Sequence, residues 1–330
     1  MGNVSAAIHY YIKNVIKLSQ EDISSSAKSR EWFIDRILTA IDRRAEEDKT
    51  ELVLYKPRKI YFGSYFKGTK VQVVDEYDIL LVIDTHDGVY KRDNIVIGRG
   101  QGIADPNPLF SGKYDKTDGS GVSPSKLLNW LKDVVEEVVH SFGGISPIRN
   151  GQAVTARIES RDIAIDLVPG VILTRDSDGK TFYAIPRGDV AGGWIATAPD
   201  DDKRRLAKVA EGKQDFKNVV RILKRIRDTY NFKVTSFAIE TDVVNYAETT
   251  SWATDIGLEV RYALSHLART FRSGTMTDPF DPQSNLLQGV DSLRWYAERI
   301  DSIVGILEDC QKIVDQVRIR ELIYKAFENE

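Results

Sequence analysis

Residues 63–84 read GSYFKGTKVQVVDEYDILLVID. The apolar run ILLVI follows an acid-x-acid pair, Glu76-Tyr77-Asp78, and predicts a strand over 75–84. Side chains alternate across a strand, so Glu76 and Asp78 share one face while Tyr77 and Ile79 turn into a core. Two carboxylates on one face suit divalent cations, which prefer hard oxygen ligands. Upstream, KIYF (59–62) predicts a strand that runs into the Gly63-Ser64 turn. Gly63 lets the backbone approach a phosphate closely. Ser64 offers a hydroxyl and an amide at a loop-to-helix step, where unpaired N–H groups favour anions. Singly, Gly-Ser is a common turn and acid-x-acid is usually a solvated strand face. Together they point to an enzyme that holds a nucleoside triphosphate by its phosphates and moves a nucleotide with two metal ions. A phosphate-binding P-loop is rejected: it needs Lys directly after its second glycine, whereas Gly68 is followed by Thr69 and then Lys70.

A two-metal site usually needs a third carboxylate. RDIAIDLVPGVIL (161–173) places Asp166 inside an apolar strand, with Ile163, Ile165 and Leu167 alternating against Ala164, Asp166 and Val168. An acid buried there is costly unless a cation compensates it. The alternative is a strand-end aspartate bonded to a neighbouring arginine. Residues 153–159 and 162–168 read as a hairpin that would bring Asp166 beside the first acidic strand.

Gly63-Ser64, Glu76-x-Asp78 and Asp166 in IDLVP together resemble the active site of the cyclic GMP–AMP synthase-like nucleotidyltransferases. This polymerase-β-type group includes the animal DNA sensor, the Mab21 proteins and the bacterial CD-NTases of antiphage signalling. Segments 107–139, 192–206 and 219–240 are similar to family segments as well, so the likeness spans most of residues 25–280. The resemblance implies an α+β fold with two lobes. One is a nucleotidyltransferase core, with a twisted mixed sheet flanked by helices and a long N-terminal spine helix; the other is a C-terminal helical lobe. It implies that Glu76 and Asp78 hold two Mg²⁺ ions (Mn²⁺ being an alternative), with Asp166 helping on the ion nearer the attacking hydroxyl. Arg221 and Lys224 lie one turn apart on a predicted helix, and by resemblance this face points at the triphosphate. A solvated basic face is the rival reading, since Lys217, Arg225 and Arg227 lie nearby. Ser236 matches a family serine that touches phosphate. Phe237 falls where a relative has a base-stacking aromatic, a core phenylalanine being equally compatible. Thr197 is a candidate for contact with a base edge. The arginine that helps the animal relative select guanine is missing after Trp194, so that preference is not carried over.

The implied activity joins NTPs (ATP, GTP or others) into a cyclic di- or trinucleotide second messenger and releases pyrophosphate. A cyclic-nucleotide-responsive effector would read the product, in bacterial antiphage defence. The alternatives are an RNA-modifying or oligoadenylate-type transferase, and a catalytically silent Mab21-like scaffold. Retention of all three acids and of Gly-Ser counts against the scaffold.

At 330 residues and 42% hydrophobic, the chain can bury a large core in two lobes. A net charge of −3 gives no global attraction to nucleic acid. Cys310 is the sole cysteine, which excludes an intramolecular disulfide and indicates a reducing compartment. With His9, His86, His140 and His266 scattered, no zinc ribbon for DNA binding can form. No run is long and apolar enough to cross a membrane, no signal peptide is visible, and Ala6 stands where myristoylation needs Ser or Thr. A cytoplasmic enzyme without membrane contact is the expectation.

Along the chain, Ile8, Ile12, Val15 and Ile16 mark a first helix, and Phe33, Ile37 and Ile41 a second that spans both lobes. Residues 85–122, rich in Gly, Asp, Asn and Ser, read as a long loop, either a lid or a floppy insertion. Ser123-Pro124 starts a helix with proline in its first turn. A further strand or pair fills 170–185. The pattern is helical after residue 200, with two last helices in 290–327. The expected division is a catalytic core over 1–205 and a helical lobe over 206–330.

Overall fold

The structure, a computed structural model, describes residues 3–16, 20–71, 76–85, 88–89, 95–99, 107–158, 163–174, 179–188, 193–280 and 284–329. It opens with α1 (Asn3–Tyr11), which passes into a π-helical turn (Ile12–Ile16), and continues with α2 (Gln20–Glu47), β1 (Leu54–Phe62), α3 (Gly63–Lys67) and β2 (Glu76–Ile83). Next come β3 (Gly88–Val89), β4 (Gly98–Arg99), a 3₁₀ turn (Pro108–Phe110) and α4 (Pro124–His140). The strands β5 (Ile148–Asn150), β6 (Ala153–Ile158), β7 (Ile163–Thr174), β8 (Thr181–Pro186) and β9 (Trp194–Thr197) complete the sheet. Helices α5 (Pro199–Ala210), α6 (Phe216–Thr229), α7 (Ser236–Thr249), α8 (Ile256–Ser273), α9 (Leu293–Cys310) and α10 (Gln316–Glu328) follow.

The chain divides into two units. One comprises Gln20–Gly63 and Val74–Asp202, and contains the sheet. The other comprises Met1–Ser19, Ser64–Val73 and Lys203–Glu330, and is helical. The first helix and the segment after Gly63 group with the helical unit.

In the sheet unit the strand order is β1-β2-β7-β6-β5, with β8 paired to β7 and β9 to β8. The β2–β7 pair is parallel and the others are antiparallel, so the sheet is mixed. The long β7 pairs with β6 through its first half and with β8 through its second, while β2 lines its other edge. Helix α4 begins where Ser123 accepts a hydrogen bond from the Lys126 amide and Pro124 occupies the first turn. It buries Leu127, Leu128, Leu131, Val134, Val135 and Val138. Helix α2 buries Phe33, Ile34, Ile37 and Ile41, and Arg43 and Arg44 both bond Glu137 of α4. The stretch read as a loop over 85–122 contains regular structure: β3 pairs with β4, and the Val122 amide donates to the Ile97 carbonyl at 2.8 Å. Its residues 86–87, 90–94 and 100–106 lie outside the described ones.

The helical unit is built around one core. It draws Val4, Ile8, Ile12 and Ile16 from the N-terminus, Phe216, Val220 and Leu223 from α6, Leu264 and Phe271 from α8, and Ile323 and Phe327 from α10. Among the described residues no helix is long and apolar enough to cross a membrane.

Candidate metal centre and nucleotide-facing residues

In the parallel register of β2 and β7, Asp78 lies beside Asp166. Laterally paired residues project to the same face of a sheet, and so do residues two apart on one strand. Glu76, Asp78 and Asp166 therefore emerge together, and each offers a carboxylate oxygen within 4.8 Å of the others. Beyond Asp78 the same face becomes apolar. Leu80 and Val82 of β2, Val168 of β7, Ile60 of β1 and Tyr183 and Ile185 of β8 form a buried floor. The acids thus stand at the edge of a dry patch, where carboxylates crowd one another unless cations are shared between them.

Gly63 ends the run from β1 and packs on Asp78. A Cβ built on Gly63 would lie 1.8 Å from Asp78 Oδ2, and its φ of +74° is one that L-residues avoid. The glycine is required by the neighbouring carboxylate as well as by the turn. Thr155 of β6 stands opposite Asp166 and donates its hydroxyl to Asp166 Oδ1 at 2.5 Å. Thr197 pairs with Tyr183 on β8, which places it on the same sheet face as the carboxylates. Burial pushes the Tyr183 phenol up to about 12, with Asp200 adding to the effect. The three acids are hard oxygen donors of the kind Mg²⁺ and Mn²⁺ take, and the donor set fits such ions.

The other candidates belong to the helical unit. Ser64 stands in α3, and its carbonyl accepts from the Thr69 amide at 2.9 Å. Lys224 on α6 is 3% exposed and donates to Glu240 Oε1 of α7 at 3.1 Å. Lys67, 8% exposed, ion-pairs with the same carboxylate, and the Thr69 hydroxyl donates to it at 2.6 Å. Burial pushes the Glu240 carboxyl up, but the ammonium groups of Lys67 and Lys224 outweigh it and hold the group below its ordinary range. Burial, reinforced by the charge of Lys67, pulls the Lys224 ammonium down. Arg221 is half-buried, donates to Asn218 Oδ1 at 2.7 Å, and is pulled below its usual value by burial. Ser236, the first residue of α7, accepts from Arg227 Nη1 at 2.5 Å. Phe237 stacks on Phe280 with ring centroids 6.1 Å apart, and Lys67 Nζ lies 5.7 Å from its centroid.

Thr155, Lys67 and Glu240 were not singled out in the sequence. The signal for Thr155 is a lone hydroxyl in the apolar strand AVTARI, opposite an acid. Glu240 gives no such signal, because α7 is buried nearly all round, Thr241 and Asp242 included.

No protein-family model matches the chain. It is 24% identical, over 84% of its length and 80% of the relative's, to a Bacillus cereus (strain VD146) protein named as a probable cyclic nucleotide synthase. It is 23% identical to a cyclic GMP-AMP synthase-like protein of Drosophila melanogaster, over 64% of this chain and 67% of that one. Among solved structures it superposes on E. coli MS115-1 CdnC from the complex with HORMA-deltaN. The TM-score is 0.70 at 14% identity, covering 98% of this chain and 96% of CdnC. The mixed sheet and the helical unit agree with that likeness of fold, and the sequence relatives carry the name: the chain is similar to the cyclic GMP–AMP synthase-like nucleotidyltransferases.

Proposed function

We propose that this nucleotidyltransferase joins nucleoside triphosphates into a cyclic oligonucleotide and releases pyrophosphate. The observation that carries the reading is the meeting of Glu76, Asp78 and Asp166 within 4.8 Å on one sheet face. The name of the Bacillus cereus relative supports a cyclic product. Glu76, Asp78 and Asp166 would hold two Mg²⁺ ions, which when bound supply Lewis-acid activation of the attacking hydroxyl and neutralise the triphosphate. Gly63 keeps the Asp78 carboxylate in place. Arg221, Lys224 and Ser236 supply positive charge and a hydroxyl for the phosphates, Phe237 an aromatic face for a base, and Thr197 a hydroxyl for a base edge. Around Glu240 the two ammonium groups of Lys67 and Lys224 face one carboxylate. ATP and GTP are the substrates to try first, and an antiphage role with a cyclic-nucleotide effector is the proposed setting. CdnC is solved in complex with HORMA-deltaN, so a protein partner belongs in the same proposal.

The test is incubation with all four NTPs and Mg²⁺, with and without added RNA, followed by phosphatase. Small phosphatase-resistant products are expected, and Asp78→Asn and Asp166→Asn are each expected to abolish them while the protein stays folded. Lengthening of the added RNA would move the reading to an RNA transferase. Pyrophosphate release by Asp166→Asn at the wild-type rate would remove the metal assignment.

A further inference from the structure

Asp166 differs from an ordinary strand carboxylate in what holds it. Thr155 lies directly opposite in the antiparallel β6–β7 register, so the two side chains share a face at the closest cross-strand spacing. The Thr155 hydroxyl donates to Asp166 Oδ1 at 2.5 Å, and Thr155 is 7% exposed. Its neighbours Ala153, Val154, Ala156 and Ile158 are buried and apolar. A hydroxyl in such a strand needs a partner, and the described one is a carboxylate of the acidic triad. Threonine is β-branched, so its χ1 is stiff and the hydroxyl is delivered from a fixed position. A short carboxylate otherwise turns freely about χ2. A donor at one oxygen fixes the plane and commits that oxygen to the sheet.

We infer that Thr155 is a positioning residue of the metal centre: its hydroxyl holds the Asp166 carboxylate in the orientation that places it with Glu76 and Asp78. This rests on the reading that the triad binds divalent cations. Partners of metal-binding carboxylates typically contribute roughly 10–100-fold to metal affinity or activity. A threonine that only packs β6 against β7 would contribute to stability and to neither of these.

The experiment compares wild type with Thr155→Val, Thr155→Ala, Thr155→Ser and Asp166→Asn. Mn²⁺ binding to the NTP-free protein is read by electron paramagnetic resonance, the Mg²⁺ dependence of pyrophosphate release by titration, and folding by thermal denaturation. Valine keeps the shape and removes the donor, alanine removes both, and serine keeps the donor. Both donorless variants are expected to weaken Mn²⁺ binding roughly 10–100-fold. They should move the half-maximal Mg²⁺ concentration upward by a similar factor, while serine stays with the wild type. If either folded donorless variant binds Mn²⁺ and responds to Mg²⁺ as the wild type does, and Asp166→Asn does not, Thr155 has no positioning role and the triad stands. If Asp166→Asn itself binds Mn²⁺ as the wild type does, the metal reading falls and the inference about Thr155 falls with it.

Discussion

The contact between Gly63 and Asp78 is the most demanding at the scale of one residue. A Cβ at Gly63 would meet Asp78 Oδ2 at 1.8 Å, so Gly63→Ala must displace the carboxylate or the turn. A positive φ adds about 1–2 kcal/mol against any L-side chain. Displacing a reacting-centre ligand by about 1 Å costs on the order of 100-fold in rate. Gly63→Ala is therefore expected to lose about 100-fold or more in pyrophosphate release, while thermal denaturation shows a modest loss of stability. A second expectation concerns the acids themselves. Three carboxylates within 4.8 Å repel one another when no cation is bound. Removing one charge relieves about 1–4 kcal/mol per close pair by Coulomb estimates at water-like to surface-like dielectric. Asp78→Asn should therefore melt at a higher temperature than the wild type in chelator. Mg²⁺ should raise the melting temperature of the wild type and much less that of the variant. The pairing of Glu76 with Asp78 could be read from strand alternation alone. The packing of Gly63 on Asp78 could not, because it depends on how the chain returns after the turn.

At the scale of elements, some features are legible in the sequence for a definite reason. The run from Ile79 to Ile83 has the length and β-branching of a buried strand, and Ser123-Pro124 carries both helix-start signals. Each is a local property of a few neighbours. The regular structure inside 85–122 was not legible, since pairs as short as Gly88–Val89 with Gly98–Arg99 leave no periodicity. Nor was the cluster around Glu240, where a helix that would normally expose its acids buries Glu240, Thr241 and Asp242. That cluster joins α3, the segment after it, α6 and α7 through one carboxylate. Glu240→Ala leaves the buried Lys224 without its counter-charge, for which a loss of about 3–5 kcal/mol is expected in urea denaturation. The pH dependence has a definite sign. Glu240 is held below the ordinary carboxylate range in the folded protein. Its stabilisation is therefore complete above the unfolded carboxylate pKa of about 4.3 and is lost as pH falls through the lower folded value. Urea midpoints measured from neutral to acid pH should fall less steeply for Glu240→Gln than for wild type below that pH. Equal slopes would show that the pair does not couple to protonation.

At the scale of the whole chain, the helical unit is assembled from three separated stretches, and its C-terminal stretch does not hold the complete core. Val4, Ile8, Ile12 and Ile16 are each no more than 5% exposed within it. Burying an aliphatic side chain of this size contributes about 1.5–3 kcal/mol, so the four supply roughly 6–12 kcal/mol, comparable with the whole stability of a typical domain. Two partners of Glu240, Lys67 and Thr69, come from the segment after Gly63. A fragment of residues 203–330 would then expose the apolar faces that α1 covers and leave Glu240 with Lys224 alone. The fragment is expected to keep helical far-ultraviolet circular dichroism, yet to lose near-ultraviolet signal and a cooperative urea transition, as compact states without fixed packing do. Linking residues 1–16 to the same fragment should restore part of the cooperativity, because it returns the apolar side chains though not Lys67 and Thr69. A sharp two-state transition in the bare 203–330 fragment, at the midpoint of the full chain, would show that the N-terminal helix decorates a core that closes without it.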